Sequence, residues 1–196
     1  TTNDNAYKKL LSGEASLIFT TELPSSELRS FADDSGEKFE ATAVAKDALV
    51  FYVNSENPIK DLKLEELRGI YSGSITGWRS LGGDKETVIP YQLPEGSFLQ
   101  DMMKKEIMKN TEMITAPAEI TAVSNEGDPL LYSVFDSPDY ETRLLPYSNS
   151  SGAVCYGSLF YLSEDKDISL LSIDGISPKA GNIINGKYPY SYSIYA

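Results

Sequence analysis

Ala6, Tyr7, Leu10 and Leu11 recur at helical spacing, with Thr2, Asn3 and Asp4 able to cap the start and Gly13 able to end it, which predicts a helix over 2–12. The mostly apolar run 15–20 has the length of a buried strand, and a second helix is expected over 25–31 after Pro24. Two strands are expected next, 39–44 and 48–53, separated by the charged pair Lys46 and Asp47, before 54–58 breaks the pattern. Leu64, Leu67, Ile70 and Tyr71 predict a helix with Glu65 and Glu66 in its first turn and Gly73 beyond its end. Gly82 and Gly83 mark a turn and 88–91 a short strand, and Ser97 and Gln100 have capping-box spacing at the head of a helix reaching 109. From 111 to 151 the pattern weakens to a strand at 113–115 and a helix around 128–135. Beyond it, 153–162 and 170–173 read as strands, Asp174 and Gly175 as a turn, 178–184 as a helix and 188–195 as a half-buried strand. Strands interleaved with helices define an α/β fold.

Charge narrows the choice of partner. The 196 residues carry 17 Lys and Arg against 29 Asp and Glu, a net charge of -12, which repels phosphate backbones and anionic membrane surfaces, so no nucleic-acid partner is expected. The chain has no histidine, which excludes Ser-His and Cys-His nucleophilic sites and the usual zinc ligand sets. The single Cys155 has no internal disulfide partner. Asp33 and Asp34, or Asp165 to Asp167, lack the spaced ligands of a calcium loop, so neither metal nor cofactor is expected. No catalytic residue stands out, and the chain reads as non-enzymatic. No apolar run approaches the ~20 residues of a membrane span, and the polar start at Thr1 is no signal peptide, so any targeting segment is expected to lie outside this sequence.

Residues 46–83, KDALVFYVNSENPIKDLKLEELRGIYSGSITGWRSLGG, resemble the phosphate-binding PstS-like solute receptors of bacteria. The likeness combines the strand KDALVFYVN, the NPI turn, the helix around LEEL and the segment ending in LGG. It extends upstream to AYKKLLSGEASLIF and downstream to GAVCYGSLFYL and LLSIDGISPKAGNIINGKYPY, and is weakest over 110–148. The resemblance implies a two-lobed periplasmic-binding-protein type II fold, α/β, with ligand held in a cleft and enclosed by hinge closure. Lobe one is assigned to 1–53 and 161–196, and lobe two to 54–160. Members of the family carry a further strand and loop before the first helix and a helical tail after the last strand, so the first lobe is expected to be incomplete here. Trp78 is expected to serve packing rather than ligand stacking.

The family holds a tetrahedral anion with backbone donors and hydroxyls at helix N-termini plus one arginine. The resemblance places Leu93 at the arginine position and Ser97, Phe98 and Leu99 at a triplet usually made of small or hydroxyl residues, with Asp101 adding negative charge in the first turn. Thr2 or Asn3 falls at the family's first helix start, Ser16 replaces an aspartate at the head of a strand, and Thr21 falls near a position often acidic. The candidate ligand-binding residues are therefore Thr2, Asn3, Thr20, Thr21, Gln92 and Ser97, although an ordinary helix cap or turn is the more common reason for Thr, Asn or Ser at such places. Three readings follow. The first is an extracytoplasmic solute-binding domain, periplasmic or on a cell-surface lipoprotein, with weakened or altered ligand binding and an ABC transporter membrane component as partner. The second is an interaction module that kept the fold and lost solute binding. The third, an enzyme, has least support.

Overall fold

A computed structural model describes residues 2–93, 95–109, 111–115, 149–162 and 166–196. They form two compact units, 1–47 with 191–196, and 48–190.

In the first unit, α1 (Thr2–Leu11) turns Tyr7 inward, where its ring meets Phe39 edge-on at 5.1 Å. Gly13 takes a positive φ of 75° just beyond the helix, as a C-terminal glycine should. Helix α2 (Ser26–Asp34) starts where Ser25 caps it, its hydroxyl accepting the Leu28 N–H at 3.2 Å. The run 15–20 is not the buried strand its composition predicts. Among the described residues only Thr20 finds a ladder partner, Tyr195, and Leu17 and Phe19 remain 61% and 64% exposed. An apolar run becomes a strand only where a neighbouring backbone meets its N–H and C=O groups.

The two strands expected over 39–44 and 48–53 are one, β1 (Ala43–Asn54), starting later than predicted and passing through Lys46 and Asp47 without a break. Asp47 is only 8% exposed, and its carboxylate accepts the Tyr192 hydroxyl at 2.7 Å from β7 (Ser191–Tyr195), which pairs with β1. A partnered carboxylate can stay in the ladder where an unpartnered one would interrupt it.

In the second unit residues 48–53 of β1 are all buried, and covering on both faces explains why they read as a continuous apolar run. This stretch pairs antiparallel with β4 (Ala153–Ser158), from Leu49 opposite Ser158 to Val53 opposite Val154, and with β5 (Ile168–Leu170) on its other edge. Strand β3 (Ile89–Pro90) lies parallel to β4. The run 153–162 is strand only as far as Ser158. It then turns into the short helix α5 (Leu159–Leu162), folding Leu162 onto Gly157, where a Cβ would stand 3.0 Å from the leucine. The run 170–173 is likewise divided. Leu171 donates to Phe51 O, while β6 (Ser172–Ile173) pairs parallel with β2 (Asp61–Leu62).

Helix α3 (Leu64–Tyr71) forms as predicted, with the Glu66 carboxylate accepting the Lys63 N–H at 2.8 Å and Gly73 at φ 78° past its end. Gly82, at φ 87°, ends a 3₁₀ turn carrying Trp78, which is buried and donates its indole N–H to Gly152 O at 3.0 Å, a packing role as expected. The helix expected over 97–109 is α4 (Phe98–Met102), continued by a wider π-type turn (Met103–Met108) that buries Met103, Ile107 and Met108. Residues 113–115 form no strand; Ile114 instead donates its N–H to Tyr71 O. The helix expected around 128–135 lies outside the described residues. Helix α6 (Ala180–Ile184) precedes β7.

Candidate functional site

The candidate residues of the first unit come together around the start of α1. Thr2 begins that helix. Asn3 does not cap it; its side-chain amide donates to the Thr21 hydroxyl at 3.2 Å and to the Glu22 carboxylate at 3.0 Å. Tyr7 donates its hydroxyl proton to Glu22 O at 2.8 Å, so the contact of 3.0 Å between Tyr7 and Thr20 must use the threonine's proton. Thr20 is thus both buried and hydrogen-bonded within the unit. The carboxylate of this cluster belongs to Glu22, one residue beyond Thr21, and sequence reasoning passed over it. The signal available was only its adjacency to a position that the resemblance marks as often acidic.

The second unit holds Gln92 and Ser97. Gln92 is 6% exposed and donates its amide to Ile114 O at 2.6 Å, so it ties the loop at 91–93 to the segment beyond the π turn. Ser97 stands at the N-cap of α4, yet its side chain makes no capping hydrogen bond, and the capping box suggested by its spacing to Gln100 does not form. Gln100 is instead fully buried and engaged elsewhere: its carbonyl oxygen accepts the Tyr156 hydroxyl, and its amide reaches Glu95 at 3.5 Å. Glu95 also pairs with Lys104, and Leu93 donates its backbone N–H to the Tyr156 oxygen at 3.4 Å. Leu93, Tyr156, Gln100, Glu95 and Lys104 thus form one hydrogen-bonded chain that fixes the loop leading into α4. Burial above all pushes the Tyr156 hydroxyl well above the ordinary tyrosine range, the Cys155 thiolate, once formed, and the Glu95 carboxylate acting in the same direction, so it is a proton donor at any physiological pH. No residue pattern announced this network, because its partners lie on separate elements.

The network carries a measurable load. Tyr156→Phe removes the donor to buried Gln100 and the acceptor for Leu93, and is expected to cost about 1 to 3 kcal/mol of stability. Gln100→Leu in the same chain should recover part of that loss, since replacing both partners leaves fewer unpaired groups, and a double-mutant cycle by urea unfolding measures the coupling.

The whole chain, residues 1–196, matches the PBP superfamily domain, and the protein belongs to that superfamily. Within it, the relatives found are phosphate receptors. The chain is 29% identical to the phosphate-binding protein PstS of Bacillus subtilis over 137 residues, covering 70% of this chain and 39% of the relative. A substrate-binding protein assigned to phosphate ABC transport in Clostridium perfringens, solved with bound phosphate, superposes with a TM-score of 0.63 at 22% identity, covering 98% of this chain and 69% of that one. An ABC-type phosphate transport receptor of Vibrio cholerae gives 0.62 at 21% identity, covering 98% and 71%. The fold is accordingly α/β, of the two-lobed periplasmic-binding-protein type. The chain spans less than two thirds of the length of the curated relatives it matches.

Proposed function

We propose that this chain is a non-enzymatic, extracytoplasmic solute-binding domain of the PstS-like class, with phosphate affinity weakened relative to the receptors it resembles. Its lobes divide at 53/54 and 160/161, and its partner is the membrane component of an ABC transporter. The phosphate-binding relatives support the class and an anionic ligand. Among the described residues no helix is long and apolar enough to cross a membrane, which is compatible with a domain outside the bilayer.

One observation carries the weakening: four of the polar side chains singled out for the ligand, Asn3, Thr20, Thr21 and Gln92, are already hydrogen-bonded inside the protein. Asn3 is held by Thr21 and Glu22, Thr20 by Tyr7, and Gln92 by Ile114 O. Leu93 stands where the resemblance puts the arginine, and its backbone is anchored to Tyr156. A charge-assisted bidentate arginine contact is worth about 1.5 to 3 kcal/mol, so its loss lowers affinity by roughly one to two decades. Asp101 in the first turn of α4 opposes an anion there as well.

Isothermal titration of the chain with inorganic phosphate tests the reading. No saturable binding is expected at micromolar phosphate, and Leu93→Arg with Phe98→Gly should restore part of it. Submicromolar affinity in the unaltered chain would overturn the proposal of weakened binding.

A further inference from the structure

A pocket of about 400 Å³ opens in the first unit between α2 and the chain at 38–41, lined by none of the residues considered for phosphate. Leu23, Arg29, Ala32, Asp33, Lys38 and Phe39 line it. Its volume is that of a small-ligand site. Two cations line it, Arg29 from α2 and Lys38 from the facing segment, in a chain whose net charge is -12, and among the described residues neither has an ion-pair partner. Arg29 and Asp33 stand four residues apart on α2, a spacing that allows an ion pair, yet none forms. Arg29 instead donates its Nε to Pro24 O at 3.0 Å, which holds the guanidinium while leaving its terminal nitrogens for a ligand. Phe39, steadied by its edge-on contact with Tyr7, supplies an aromatic surface beside the charges.

We propose that this pocket binds a small organic carboxylate with an apolar body, the carboxylate held by Arg29 and Lys38 and the body lying against Leu23 and Phe39. The charge balance selects this class. Two cations against Asp33 leave one net positive charge, which matches a monoanion better than a phosphate dianion. The planar guanidinium fork fits a planar carboxylate, and the apolar part of the lining, Leu23, Ala32 and Phe39, favours a ring over a fully polar ligand.

Benzoate is the probe, titrated into the chain at low ionic strength and followed by ligand-detected NMR. Saturable binding is expected at roughly millimolar concentration, since one ring and two solvent-accessible cations supply only a few kcal/mol. Arg29→Gln should weaken it about 10-fold. Asp33→Asn, which removes the opposing charge from an exposed position, should tighten it, and equimolar phosphate should leave it unchanged. That last arm separates this site from the phosphate reading, because either can fail without the other. The proposal is overturned by lack of saturation at about 20 mM benzoate, by binding insensitive to both substitutions, or by displacement with equimolar phosphate.

Discussion

Gly152→Ala is expected to destabilise the chain by about 3 to 5 kcal/mol, a large part of the stability of an ordinary domain. A Cβ built on Gly152 would stand 2.3 Å from Thr87 O and 3.6 Å from Ile89 Cδ1. The first of these is backbone, so no rotamer change relieves it. The Gly152 carbonyl accepts both the Ile89 N–H at 2.8 Å and the Trp78 indole N–H at 3.0 Å. Backing the chain away from Thr87 therefore strains two hydrogen bonds at once, one of them from a fully buried side chain. Overpacking contributes about 1 to 3 kcal/mol and a buried donor left unpaired a similar amount. Gly181→Ala is the control. Gly181 lies in α6, where an added Cβ would meet nothing within 4 Å, so the substitution should be neutral or stabilise by up to about 1 kcal/mol. Urea midpoints of the two variants at equal m-value decide the matter, and a loss below ~1 kcal/mol at Gly152 would mean that the Thr87 segment yields freely.

Why these features differ in legibility is visible in single residues. The buried half of β1 could be read from its composition, because a strand covered on both faces needs apolar residues throughout. Helix α3 could be read from its spacing, its acidic first turn and Gly73, all of them local signals. Asp47 could not, since the hydroxyl that lets it stay in the strand belongs to Tyr192, 145 residues away. Gln100 escapes sequence reading for the same reason. Its spacing from Ser97 suits a capping box, but Tyr156, 56 residues on, offers a buried hydroxyl and takes it instead. Residues 15–20 show the reverse error, in which local composition promised a strand that only Thr20 finds a backbone neighbour to complete. At the candidate site the resemblance located the start of α1 and the loop before α4. What it could not supply was the direction in which each polar group is spent, because hydrogen-bond partners are set by packing across elements.

Stability is expected to fall steeply once the pH rises above about 9, through groups that the fold buries in protonated form. Burial pushes the Cys155 thiol up to about 11, against the smaller opposing effect of hydrogen bonds with Tyr52 and the Tyr156 backbone. It pushes the hydroxyls of Tyr156 and Tyr188 well above the ordinary tyrosine range, the former donating to Gln100 and the latter to Leu49 O at 3.1 Å. Tyr190 shifts in the same direction, again chiefly by burial. In every case the folded-state pKa lies above the unfolded value, so the folded chain holds its protons more tightly. The resulting stabilisation is complete below the unfolded pKa and is lost as pH climbs toward the folded one. Each group costs about 1.4 kcal/mol per pH unit in that window. Cys155 contributes from about pH 9 and Tyr156 and Tyr188 from about pH 10, giving a combined loss of about 5 to 6 kcal/mol by pH 11. Urea unfolding at pH 8, 9.5 and 11 measures it. Cys155→Ala should flatten the first part of the decline and leave the tyrosine part in place. A stability that stays level from pH 8 to 11 would show that the Cys155, Tyr156 and Tyr188 sites admit water on ionisation and relax without opening the core.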